Sequence, residues 1–137
     1  MNNAAADIIE SHEDFQGTLA DATCAAFHLV LDPENDDAEG QAQEVFRFIH
    51  DRALPHMEIE ETVIFARAIA RGVPQLCLDA LRDEHESLRR IAALIGEDEP
   101  IANEHALLLL EFLQAFEKHA AREEAVFSLF HDRTAAH

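Results

Sequence analysis

Apolar residues recur along the chain at steps of three and four, or of seven and ten where one is skipped, in four successive sets. The first set is Ile8, Phe15, Leu19, Ala22, Ala26 and Val30, and the second is Val45, Ile49, Ala53 and Val63. The third is Leu78, Leu81, Leu88, Ala92 and Ile95, followed by Leu108, Leu109, Phe112, Phe116, Val126 and Phe130. A period near 3.6 residues belongs to one face of a helix, so each set marks the buried stripe of an amphipathic rod. Breakers separate the sets: Asp32 and Pro33 through Asp37, Gly72 to Pro74, and Gly96 to Pro100. They bound helices over about 4–31, 38–71, 75–95 and 101–132. Ala, Leu, Glu and Arg fill these segments, which leaves strands no place. The expected fold is all-α, and the short connections make it an up-down-up-down antiparallel four-helix bundle.

Composition narrows the partners. The chain has 137 residues, 48% of them hydrophobic, which is one domain's length with enough apolar surface for a core, so residues 1–137 are expected to form a single domain. The formal net charge of −18 repels phosphate backbones and anionic lipid, and no stretch clusters Lys and Arg. Neither nucleic acid nor a membrane is an expected partner. The longest apolar runs, such as Leu107 to Leu110, fall far short of the about 18 residues of a spanning helix, and acids stand where a signal peptide carries lysines. A cytoplasmic monomer or homodimer is expected. Cys24 and Cys77 match no CxxC spacing and are read as reduced, semi-buried thiols.

The stripes contain polar gaps. His12 interrupts the first, His56 and Glu60 the second, His85 the third, and His119 and Glu123 the fourth. An unpaired carboxylate in an apolar interior costs several kcal/mol, and no Lys or Arg occupies these stripe positions. A metal ion is the simplest compensator, and imidazole with carboxylate suits iron, manganese or zinc. In an up-down-up-down bundle all six groups fall roughly 12 to 22 Å from one end at about 1.5 Å per residue, within one layer.

An isolated HxxxE is ordinarily a surface i,i+4 pair. Here two such motifs sit on core stripes and continue alike, as His56, Glu60, Glu61, Val63 and as His119, Glu123, Glu124, Val126. Each follows a helix whose histidine has acidic flanks, Glu10 and Glu13 around His12, Glu84 and Glu86 around His85, so the chain reads as a twofold helix-pair repeat. This pattern resembles the hemerythrin-like HHE cation-binding domain over essentially the whole chain. Leu54 and Pro55 before His56 also look like that family, in which a proline often precedes this histidine. The resemblance implies that His12, His56, Glu60, His85, His119 and Glu123 hold two irons, bridged by the glutamates and by an oxo or hydroxo group. Hemerythrin proper has a further histidine one turn beyond the third-helix ligand, where this chain has Arg89, expected to run out to solvent. Both irons would then keep open positions, which tells against a pure oxygen carrier.

The remaining histidines are given other roles. His28 and His50 fall off the stripes, His131 and His137 lie near the C-terminus, and His105 is expected at the core edge or as a cap. Glu58, Glu61 and Glu124 are expected to be solvated charges. Phe15, Phe65, Phe116 and Phe127 lie near the polar layer and are expected to line a dry pocket for small gases. Ferritin-like carboxylate bundles use Glu-x-x-His and more carboxylates than imidazoles, the reverse of this chain. Tyr and Trp are both zero, and GxSxG, GxGxxG and P-loop motifs are missing. The resemblance thus implies a non-haem di-iron protein that binds O₂, NO or peroxide in sensing, scavenging or iron handling. A peroxide-reducing or ferroxidase enzyme, or a metal-stabilised protein-interaction module, could be built from the same residues.

Overall fold

The computed structural model describes residues 4–135, and the side chains of residues 5–130. The described residues are helical or in turns, with no strand among them. The helices are α1 (Ala4–Glu13), α2 (Gln16–Leu31), α3 (Ala38–Phe48), α4 (Leu54–Ile59), α5 (Phe65–Ala70), α6 (Gln75–Ile95) and α7 (Ala102–Ala135). They pack as a helical bundle, and α3, α4 and α5 form one continuous rod joined by the π-helical turns Ile49–Ala53 and Glu60–Ile64.

The breakers act through identifiable bonds. In the first connection the Asn35 amide donates to the Asp32 carbonyl at 2.7 Å, and the Asp37 N–H donates to Oδ1 of Asn35 at 2.8 Å. Asn and Asp are suited to this because their short side chains mimic backbone turns. At the second, Gly72 adopts φ 96°, its N–H donates to Ile69, and the Val73 N–H donates to Ala68. That pair of bonds is a Schellman ending, which needs the left-handed residue that glycine supplies most easily. Val73 is buried beyond it. At the start of α7 the Ile101 N–H donates to Nδ1 of His105 at 2.8 Å, so His105 is a cap.

Two departures from the expected rods bear on the centre. The segment 4–31 is not one helix: it breaks at Asp14 and Phe15, where the Phe15 N–H donates to the His12 carbonyl three residues back. No Pro stands there, and Gly17 lies two residues beyond Phe15, within α2. The second departure is the pair of π turns, closed by Leu54 N–H to Ile49 and by Phe65 N–H to Glu60. A π turn inserts one residue into the α-helical period and shifts every later side chain around the axis. Val63, expected on the buried stripe, is therefore 42% exposed, and Ile64 is buried in its place. The first π turn ends two residues before Pro55, which has no N–H to give to an α-helical ladder.

The buried apolar residues form two clusters. The larger joins Phe15 to Leu29, Ala38 to Met57, Leu88 to Ile95 and Ala102 to Ala120. The smaller joins Ala5 and Ile8 with Ile64, Phe65 and Ala68, Val73, Leu78 and Leu81, and Phe127. Between them lies a layer of buried polar side chains: His12, Glu60, His85, His119 and Glu123.

Candidate metal centre

The six stripe-interrupting residues meet. His12 comes from the last turn of α1, His56 from α4, Glu60 from the start of the second π turn, His85 from α6, and His119 and Glu123 from α7. Five are buried to 3% exposure or less, and the His56 side chain is 11% exposed. All four imidazoles turn Nε2 inward. Nε2 of His56 lies 2.9 Å and Nε2 of His85 3.1 Å from Glu60, and Nε2 of His119 lies 3.1 Å from Glu123. Nε2 of His12 reaches both carboxylates, at 3.4 Å from Glu60 and 3.0 Å from Glu123.

These atoms fall into two overlapping groups, His12, His56, Glu60, Glu123 and Glu60, His85, His119, Glu123, each with its donor atoms within 4.8 Å of one another. Either group could hold a metal ion, and the glutamates belong to both. The fit is supported by the way these atoms meet: Nε2 of His56, His85 and His119, Oε1 of Glu60 and Oε2 of Glu123 are buried and close to one another, yet none makes a hydrogen bond. Buried polar groups ordinarily have partners, and lone pairs turned toward a shared point are what ligation requires.

Without a metal the layer neutralises itself in part. Burial pulls the His12 imidazole toward neutrality, but Glu123 and Glu60 more than offset this and raise its pKa to about 10. His85 rises to about 9 against the same burial, through Glu123 and Glu60. Burial pushes the Glu60 carboxyl up, while the imidazoles of His12, His56 and His85 facing it hold it well below the usual carboxylate range. Protonated imidazole is thus a second compensator for the buried acids, beside a metal.

Two of the outward nitrogens are hydrogen-bonded and two face a carboxylate without a hydrogen bond. Nδ1 of His119 is 2.7 Å from Glu84, and Nδ1 of His56 is 3.2 Å from the Ser11 hydroxyl. Nδ1 of His85 faces Glu61 at 3.4 Å, and Nδ1 of His12 faces Glu124 at 3.5 Å. Glu61 and Glu124 are therefore not the solvated charges expected, because the residue after each motif glutamate swings toward the histidine of the other helix pair. Arg89 also differs from expectation: instead of running to solvent it pairs with Glu61 and Glu86. Arg122 pairs with Glu84 in the same way. Contact with an Nδ1 orients an imidazole and tunes its strength as a ligand. The signal was available in the residue preceding each acid-flanked histidine, Ser11 or Glu84, and in the second Glu of each HxxxEE.

Aromatic rings wall the layer. Phe15 packs at 4.8 Å from His56, 5.4 Å from His12 and 5.1 Å from Phe116. Phe65 stacks on His85 at 5.7 Å and meets Phe127 edge-on. A cleft of about 640 Å³, lined by Phe15, Leu19, Thr23, Phe27 and Ala120 with Glu117 and Glu124, reaches His12. Free Cys24 also lines it, exposed rather than semi-buried, while free Cys77 is partly buried. His28 is exposed, His50 packs on Phe46 at 4.3 Å, and neither joins the layer. The side chains of His131 and His137 lie outside the described residues. No described helix is long and apolar enough to cross a membrane. No family model, curated protein or solved structure matches the chain.

Proposed function

We propose that the chain is a hemerythrin-like non-haem di-iron protein that binds O₂, NO or peroxide in oxygen or redox sensing, scavenging or iron handling. The observation that carries this reading is the meeting of four inward Nε2 atoms with two buried carboxylates shared between two four-residue groups. Up-down-up-down topology is supported by the apolar clusters. Ile8 near the start of the first segment shares one cluster with Phe65 near the end of the second, Leu78 near the start of the third and Phe127 late in the fourth.

Bound iron supplies redox-active coordination positions for a small ligand. Glu60 and Glu123 would bridge the two positions, with His12 and His56 on one and His85 and His119 on the other. Two imidazoles and two shared carboxylates offer each position four protein donors, fewer than an octahedral ion takes. Phe15, Phe65, Phe116 and Phe127 keep bulk water from the layer, and the Nδ1 contacts hold Nε2 inward. The cleft at His12 gives a small neutral molecule a route in, and Glu117 and Glu124 along it disfavour anions.

A second reading, peroxide reduction or ferrous-iron oxidation at the same centre, is favoured by a cleft larger than a diatomic molecule needs. Optical spectra of the iron-loaded protein, recorded without and then with O₂ or NO, test the first reading. A charge-transfer band that changes reversibly supports it, and steady consumption of peroxide favours the enzyme. Failure of the pure protein to take up iron rejects both.

A further inference from the structure

The two halves of the centre are built on one plan with different outer parts. In each helix pair, the residue before the acid-flanked histidine contacts Nδ1 of the following HxxxE histidine. Ser11 does so for His56 at 3.2 Å, and Glu84 for His119 at 2.7 Å. One contact offers a neutral hydroxyl and the other a carboxylate. The second Glu of each motif crosses to the other pair, Glu61 to His85 and Glu124 to His12. Here too the halves differ. Glu61 is gripped by Arg89 and its side chain is 20% exposed, whereas Glu124 is 34% exposed and no arginine reaches it among the described residues.

We propose that the two halves bind metal unequally, the His85–His119 half filling first and holding its ion more tightly than the His12–His56 half. This rests on the metal-centre reading and deepens it. A carboxylate accepting from Nδ1–H makes the imidazole a stronger donor and fixes its ring, and loss of such a partner typically costs about 10- to 100-fold in metal affinity. Such a carboxylate, Glu84, holds His119 in one half, where Glu61 also faces His85 at 3.4 Å and a guanidinium clamps each acid; in the other half a hydroxyl meets His56, and the unclamped Glu124 only faces His12 at 3.5 Å. Arg89 and Arg122 place positive charge on the tighter side, which opposes the effect. Their side chains are 33% and 60% exposed, however, so solvent screens that charge while Glu84 meets the His119 ring directly at 2.7 Å. Glu61 and Glu84 are positioning residues in this scheme.

Titration of the metal-stripped full chain with Co(II), followed by calorimetry and by the cobalt d–d bands, tests it. Two steps separated by at least about tenfold are expected. Glu84→Ser should weaken the first step by about 10- to 100-fold and leave the second in place, while Ser11→Glu should tighten the second. Glu84→Gln keeps an acceptor without the charge, so its first step should fall between wild type and Glu84→Ser. A purely structural role for Glu84 would instead make Gln equal to Glu. Two equal steps in the wild type, or a first step untouched by Glu84→Ser in a variant with wild-type circular dichroism, overturn the inequality while leaving the metal centre standing. No cobalt uptake by the wild type overturns the centre and the inequality with it.

Discussion

Glu60→Gln isolates the shared carboxylate, because it keeps the side chain's size and removes only its charge. Glu60 is fully buried, belongs to both four-residue groups, and lies within 3.4 Å of three imidazoles. Without metal, the substitution leaves two raised imidazoles facing one remaining carboxylate. Stranding a buried charge costs about 3 to 5 kcal/mol when it cannot be relieved. His12 and His85 can relieve it by releasing protons, so a loss of about 1 to 3 kcal/mol at pH 7 is expected. With metal the effect is larger. At free metal about 100-fold above Kd, each filled position adds about 2.7 kcal/mol, so emptying both removes on the order of 5 kcal/mol. For a chain of this size that corresponds to a fall in Tm of roughly 15 °C or more. Elemental analysis after reconstitution and thermal melts with and without a chelator provide the assay. A Gln variant that retains both ions and melts like the wild type would show that Glu60 is no shared ligand.

His56→Ala removes a donor from one group only, so it should retain about one ion where the wild type retains two, whereas His28→Ala should retain both; metal content measured side by side decides. In the metal-free chain, imidazole pKa values raised from 6.5 to about 10 and about 9 stabilise the fold fully below pH 6.5, and this contribution is lost as pH rises through 9 and 10. Urea midpoints of the stripped protein should therefore fall over that range. Because ligation needs neutral imidazole, metal uptake at pH 7 should also release protons from His12 and His85, detectable with an indicator dye in weak buffer. Phe116→Ala deletes a ring that is 1% exposed and packed on Phe15, Phe48 and Phe112; a loss of about 3 to 5 kcal/mol in denaturant unfolding is expected.

Much of this architecture was legible in the sequence because helical periodicity and breakers are local signals. Leu78, Leu81, Leu88, Ala92 and Ile95 are all buried as their spacing implied, and Gly72 and Gly96 stand at positive φ where helices end. The polar gaps were legible for the same reason: a histidine or glutamate on an apolar stripe must face whatever the stripe faces. What stayed hidden depends on geometry that no spacing carries. The π turns move Val63 outward and Ile64 inward, although a uniform 3.6-residue period assigns them the other way. The break at Phe15 arises where no Pro stands and the one nearby glycine, Gly17, already lies inside α2, so no residue at the break itself marks it. Glu61, Glu84 and Arg89 look like ordinary surface charge until the helices are placed side by side, and only then do the carboxylates meet a ring nitrogen from another rod.

The imidazolium–carboxylate contacts also set the order of events in the life of the molecule. A site built only of acids would resist folding until a cation arrived, as small zinc modules do. In this chain protons can occupy that role first, so packing of the helices need not wait for a metal ion. Metal binding then becomes an exchange of ion for proton at a finished scaffold, with His12 and His85 as the groups that give protons up.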